Sequence, residues 1–165
     1  MLPIIKLGDT TLTKHSVVVP DINGDIASLV SDMFEAMDRA RGVGLAAVQV
    51  GKLLRIFVTH AQGDGPRVFI NPDILETSIE VVPMEEGCLS IPGLYTDVMR
   101  PSSVRVQAWN LKGRPFSLTA DGYLARVIQH EYDHLNGVLF IDRIDPKKKQ
   151  RLLAGYEANE EKVEA

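Results

Sequence analysis

The sequence predicts an α+β fold, and three observations carry that prediction: an amphipathic helical stripe near the N-terminus, a middle section whose apolar period shortens to that of strands, and a second helical stripe beyond it. From Gly24 to about Arg39 the apolar residues Ile26, Leu29, Val30, Met33, Phe34 and Met37 recur at i, i+3, i+4 and i+7, so one helix face packs inward. Gly42 stops this helix, and its methionines fill core space rather than bind a cofactor. Between Leu53 and Ala120 the runs 54–59, 67–70, 79–82 and 104–109 are rich in Val and Ile. Asn71-Pro72, Arg100-Pro101 and Lys112-Gly113 break them into short, largely antiparallel strands. A second helix opens near Asp121 and runs to about Leu135, where Asn136-Gly137 ends it. Asp145-Pro146 has the form of an N-cap and first helical position, so a C-terminal helix begins at about residue 146.

With 165 residues, 45% of them hydrophobic and 24% charged, the chain 1–165 is expected to form a single domain with a core of its own. Eighteen Lys and Arg against 22 Asp and Glu leave a net charge of −4, which removes the driving force expected of a DNA or general nucleic-acid binder. The lone Cys88 excludes an intrachain disulfide. No apolar run reaches the length of a membrane span and no signal segment opens the chain, so a cytoplasmic protein without membrane contact is expected.

Chemistry concentrates in the second helix. At about 100° per residue, Val127, Ile128, Glu131 and Leu135 all fall within about 60° of Leu124, so a carboxylate stands in the middle of an apolar face while Arg126 and Asp133 point away from it. An ionised, unpaired carboxylate there costs several kcal/mol, so Glu131 calls for an unusual neighbour. His130-Glu131-Tyr132-Asp133-His134 supplies the reason: two imidazoles one turn apart share a cation, and the Glu between them faces the water that completes its coordination. The third ligand is open. A metzincin would place His at position 140, where Phe140 stands. Glu157 is a candidate, but it lies in a tail with Glu160, Glu161 and Glu164 that reads as a solvated face. Cys88 is the better candidate, since a thiolate with two imidazoles leaves the fourth position of a divalent ion free for water.

Three segments together, Gly42-Val43-Gly44-Leu45-Ala46-Ala47-Val48-Gln49, Glu86-Gly87-Cys88-Leu89-Ser90 and Gln129-His130-Glu131-Tyr132-Asp133-His134-Leu135, resemble in order and spacing the motifs of the peptide deformylases. The resemblance covers nearly the whole chain. It implies small antiparallel β-sheets surrounding a central helix that carries H-E-x-x-H, and hydrolytic removal of the N-formyl group from the N-terminal methionine of nascent polypeptides. Cys88, His130 and His134 would be the metal ligands and Glu131 the acid/base residue. The Gln49 amide and the Leu89 N–H would hold the oxyanion, where losing one such donor typically costs about 3 to 4 kcal/mol of barrier.

The formyl peptide would pair with the first motif as an added strand, placing Gly44 and Gly87 against substrate, with Val43, Leu124, Val127 and Ile128 around the methionine side chain. Some members carry an Arg shortly after the Cys motif where this chain has Leu94-Tyr95, and Tyr95 is expected to stack there instead. The implied metal is Fe2+, with Zn2+, Ni2+ or Co2+ as substitutes. Lys147, Lys148, Lys149 and Arg151 form either a solvated face or, as in some members, a weak salt-sensitive ribosome contact. Two alternatives stay open: a small zinc endopeptidase using Glu157, and an inactive deformylase-like binding module.

Overall fold

In the computed structural model residues 2–164 are described, with side chains through Glu157. Met1 and Ala165 of the expected domain, and the side chains of Glu160, Glu161 and Glu164, lie outside the described residues. Helix α1 spans Gly24–Arg39, its first free N–H groups accepted by the Asn23 side chain. Strands β1 (Gly44–Ala46), β2 (Ile56–Thr59) and β3 (Arg67–Thr77) follow. Next come β4 (Val81–Cys88), β5 (Ile91–Pro101), β6 (Ser103–Trp109) and β7 (Pro115–Asp121). Helix α2 is Gly122–Leu135, and α3 is Pro146–Glu164. The strands form a five-stranded antiparallel sheet in the order β1-β2-β3-β6-β7 and a separate antiparallel hairpin β4-β5.

The β1-β2 end of the sheet is covered on both faces, which explains why β1 and β2 are apolar without alternation, whereas β6 and β7 leave one face to solvent. Leu45, Ile56, Val58 and Ile70 point into one core with Val30, Met33 and Met37 of α1. Their neighbours Ala46, Phe57 and Phe69 point the other way, into a second core with Ala125, Ile128 and Leu135 of α2. A third cluster joins Leu12, Ile91, Leu94 and Val98 to the 3-10 turn Phe140–Arg143, with Leu152, Leu153 and Tyr156 of α3 packed on it.

Several details depart from expectation. The reversal after α1 is made at Arg41, which is left-handed (φ 59°), while the Gly42 N–H closes the end on Met37 O at 2.9 Å. Asn71-Pro72 does not end β3. It makes a bulge there, with Asn71 at φ 49° and a register shift between Ile70 and Asp73. Residue 79 is a fully exposed turn tip rather than a strand start. Arg100-Pro101 does separate two strands, since β5 ends at Pro101 and β6 begins at Ser103, and Arg100 is a buried anchor at that end.

Arg126 and Asp133 do leave the apolar face of α2, but both are buried rather than solvated. Arg100 donates to both oxygens of Glu86 (2.6 and 3.0 Å) and to Asp133 (2.8 Å). Arg126 adds bonds to Glu86 and to the carbonyls of Val98 and Val82, and Arg143 grips Asp133 with two more. Charge therefore fixes α2 to the hairpin on the side that apolar packing does not cover.

Candidate metal centre

Helix α2 presents His130 and His134 one turn apart, and the end of β4 brings Cys88 to them. Among the described residues, the group of His, Cys, Asp and Glu side chains able to hold a metal ion is Cys88, His130 and His134, with one ligand atom of each within 4.8 Å of the others. Cys88 Sγ lies 3.4 Å from His134 Nε2. Glu86 fixes the other imidazole: it is 2.9 Å from His130 Nδ1, and an ionised carboxylate only accepts, so Nδ1 carries the proton and Nε2 turns its lone pair to the cluster. Phe140, at the place a metzincin would fill with His, stacks instead on the His130 ring with centroids 5.9 Å apart.

The electrostatics fit a cation. Burial pushes the Glu86 carboxyl up, but hydrogen bonds from His130 and Arg100 and their charges outweigh it and hold the group down at about 2. Burial also pushes the Cys88 thiol up, yet the charges of His134 and His130 and the bonds to them keep it well below its ordinary value. His130, pushed down by burial, is drawn well above its usual value by Glu131, Cys88 and Glu86. A thiol whose proton affinity is lowered beside two imidazoles suits a donor set that gives up its protons to a divalent ion. Glu131 is raised, chiefly by burial, against the lowering charges of His130 and His134. Two atoms at the centre, Glu131 Oε1 and His134 Nδ1, are buried without a partner.

A cavity of about 440 Å³ opens onto this centre, a size suited to a small side chain and its backbone. Val43, Gly44, Gln49, Gly87, Leu89, Val127 and Glu131 all line it, as does Tyr95. Gln49 is oriented by the Ala46 N–H, which donates to its Oε1 (2.9 Å), so its Nε2 donates to Ser90 Oγ (3.0 Å) and reaches Cys88 Sγ at 3.6 Å. The N-terminal segment straps the two donor segments together: Ile5 N–H donates to Gln49 O and Leu7 N–H to Ser90 O. Gly44 has a steric reason. A Cβ built there meets Glu131 Oε2 at 2.6 Å and Val127 Cγ1 at 2.9 Å. The ring of Tyr95 lies against Gly87, where a Cβ would collide with it.

Two pocket residues expected from the sequence are elsewhere: Ile128 is fully buried in the α2 core and Leu124 packs against that core, since the cavity lies toward Tyr123 and Val127. Glu157 is exposed and not part of the ligand cluster, so the endopeptidase reading loses its third ligand. Sequence reasoning missed Glu86 and its arginines. The available signal was the acid two residues before the lone cysteine, in a motif otherwise made of small and apolar residues.

A thiol and two imidazoles around one point, with a buried carboxylate between the histidines, define a metal-dependent hydrolase of the H-E-x-x-H class. The sequence profile of the family described as polypeptide deformylase matches residues 1–150. A peptide deformylase of Clostridium botulinum is 53% identical over 144 residues, 87% of this chain and 97% of that protein. The structure superposes on the peptide deformylase of Legionella pneumophila with a TM-score of 0.91 at 37% identity, covering 98% of this chain and 96% of the other. A deformylase of Synechococcus elongatus, solved with actinonin, matches with a TM-score of 0.89 at 42% identity, covering 93% and 86%. The chain belongs to the polypeptide deformylase family, metal-dependent hydrolases that remove the N-formyl group from nascent polypeptides.

Proposed function

We propose that Cys88, His130 and His134 hold the metal, that Glu131 is the acid/base residue, and that the Gln49 amide and Leu89 N–H receive the oxyanion. The observation that carries this reading is the convergence of three ligand atoms within 4.8 Å beside a buried, unpartnered carboxylate oxygen. A divalent ion in this site supplies Lewis acidity, polarising a carbonyl and lowering the pKa of water. Glu131 takes a proton from the attacking water and delivers it to the departing amine nitrogen, so the products are formate and a free N-terminal methionine. Its raised proton affinity suits a group that must both accept and give. Gln49 offers its N–H without adding a charge, and its own orientation is fixed by Ala46. Gly44, Gly87, Val43 and Val127 contact the formylmethionyl end.

The ion we assign is Fe2+. A borderline donor set of one sulfur and two nitrogens also accepts Zn2+, Ni2+ or Co2+, and iron follows the family resemblance. The chain acts as a single domain in the cytoplasm, where nascent chains emerge; no helix among the described residues is long and apolar enough to cross a membrane. Lys147 and Arg151, exposed on α3, support a weak ribosome contact, while Lys149 is already paired with Asp142 at 2.6 Å.

Protein purified without oxygen should contain stoichiometric iron and release formate from formyl-Met-Ala-Ser while leaving an unformylated internal peptide intact. Metal without formate release overturns the assignment.

A further inference from the structure

One side of the cavity mouth carries two exposed cations that the reaction does not use. Lys6 and Arg41 both line the cavity and both are exposed. They meet around Leu89: Lys6 Nζ donates to Leu89 O at 3.1 Å, and Gly42, next to Arg41, lies so close to Leu89 that a Cβ would be 2.5 Å from its Cδ1. An ammonium has three donors, so Lys6 has two left. The Arg41 guanidinium makes no ion pair or hydrogen bond with any described residue.

Arg41 is also costly where it stands. It occupies the left-handed position after α1 (φ 59°), where glycine meets no Cβ penalty. A cation at a helix C-terminus gains something from the helix dipole, but that gain does not require the side chain to line the cavity.

The direction of the substrate links these residues to the chemistry. Gly44 touches Glu131, so a peptide pairing with this segment has its reacting end there. Leu45 and Ala46 are fully buried, so the chain after methionine leaves the other way, past Val43 and Gly42 toward Arg41. Three residues of strand cover roughly 10 Å, which brings the third or fourth residue of the peptide over Arg41. The exposed acid that also lines the cavity, Glu85, belongs to β4, beside Glu86 and Gly87.

We propose that Lys6 and Arg41 form a cationic rim that selects formylated chains with acidic residues at their third and fourth positions. This rests on the deformylase reading above.

The test compares kcat/KM for three amidated peptides, formyl-Met-Ala-Asp-Asp, formyl-Met-Ala-Ala-Ala and formyl-Met-Ala-Lys-Lys, at low ionic strength and at about 0.5 M salt, where screening acts within a few ångströms. The wild-type enzyme should favour the acidic peptide over the neutral one about three- to tenfold, and the preference should collapse in high salt. Arg41→Gly should reduce the ratio while holding or raising Tm; Arg41→Lys should keep it; Lys6→Ala with Arg41→Gly should abolish it. A purely structural Arg41 would instead lower Tm on replacement and leave the ratio alone. Equal rates on all three peptides, or a preference for lysine, overturn the rim and leave the deformylase reading standing. Absence of formate from all three overturns both. The wild-type salt titration decides the matter even if a variant fails to fold.

Discussion

His130 is held between two carboxylates of opposite character. Glu86 accepts from its Nδ1 at 2.9 Å and is kept ionised, while Glu131 Oε2 lies 4.0 Å from its Nε2 with a raised proton affinity. The two should therefore fail differently when changed. Glu131→Gln is expected to keep its metal and lose about a hundredfold to ten-thousandfold in kcat, checked by metal content beside formate release. Glu86→Gln is expected to weaken metal affinity about 10- to 100-fold, measured by competition with a chromogenic chelator, because His130 loses the partner that fixes its tautomer. Of this trio the sequence makes Glu131 legible, since its cost on an apolar face demands explanation. Glu86 stays hidden because a strand acid beside Glu85 has the look of surface, and only the fold brings Arg100 and Arg126 to it.

At the scale of elements, α2 and the β4-β5 hairpin are joined by buried charge. Removing one partner strands the others, so Arg100→Leu should cost about 3 to 5 kcal/mol in a denaturant melt. The same network makes the joint acid-sensitive. The Glu86 carboxyl is lowered from 4.5 to about 2, so its contribution is complete above pH 4.5 and is lost as the pH falls toward 2. Wild type should lose stability across that window, followed by circular dichroism, and Glu86→Gln should flatten the decline. Both long helices are legible because their apolar stripes repeat without interruption. The hairpin is not: Pro83, Pro92, Gly93 and Pro101 interrupt its alternation, and its buried face is filled partly by Glu86 and Arg100, which no hydrophobic pattern detects. Strands β1 and β7 escape for other reasons, one being only three residues long and the other following a turn with mixed residues.

For the whole molecule, the proposed ligands come from two bodies of the fold, Cys88 from the hairpin and the histidines from the helix that packs on the main sheet. A metal bound there cross-links them, and binding to the folded chain alone adds about 4 kcal/mol at a thousandfold excess over Kd. Stripping the ion with chelator should therefore lower Tm by roughly 10 °C, read by calorimetry with and without added metal. Helix α3 is tied in as well, since Leu152, Leu153 and Tyr156 pack on the cluster that contains Leu12, as do Ile5 and Leu7. Ribosome binding is thus better tested by Lys147→Glu with Arg151→Glu, expected to weaken salt-sensitive co-sedimentation, than by cutting the helix away.

The contact between Gly44 and Glu131 bears on drug resistance. An inhibitor lying flat against Gly44 occupies a surface that no side chain at that position can reshape, because even an alanine methyl would reach the carboxylate of Glu131, the proposed acid/base residue. Escape by enlarging residue 44 would disable the enzyme along with the drug. Selection under such a compound should instead yield changes at Arg41, Tyr95 or Tyr123, the parts of the cavity wall that are open to solvent.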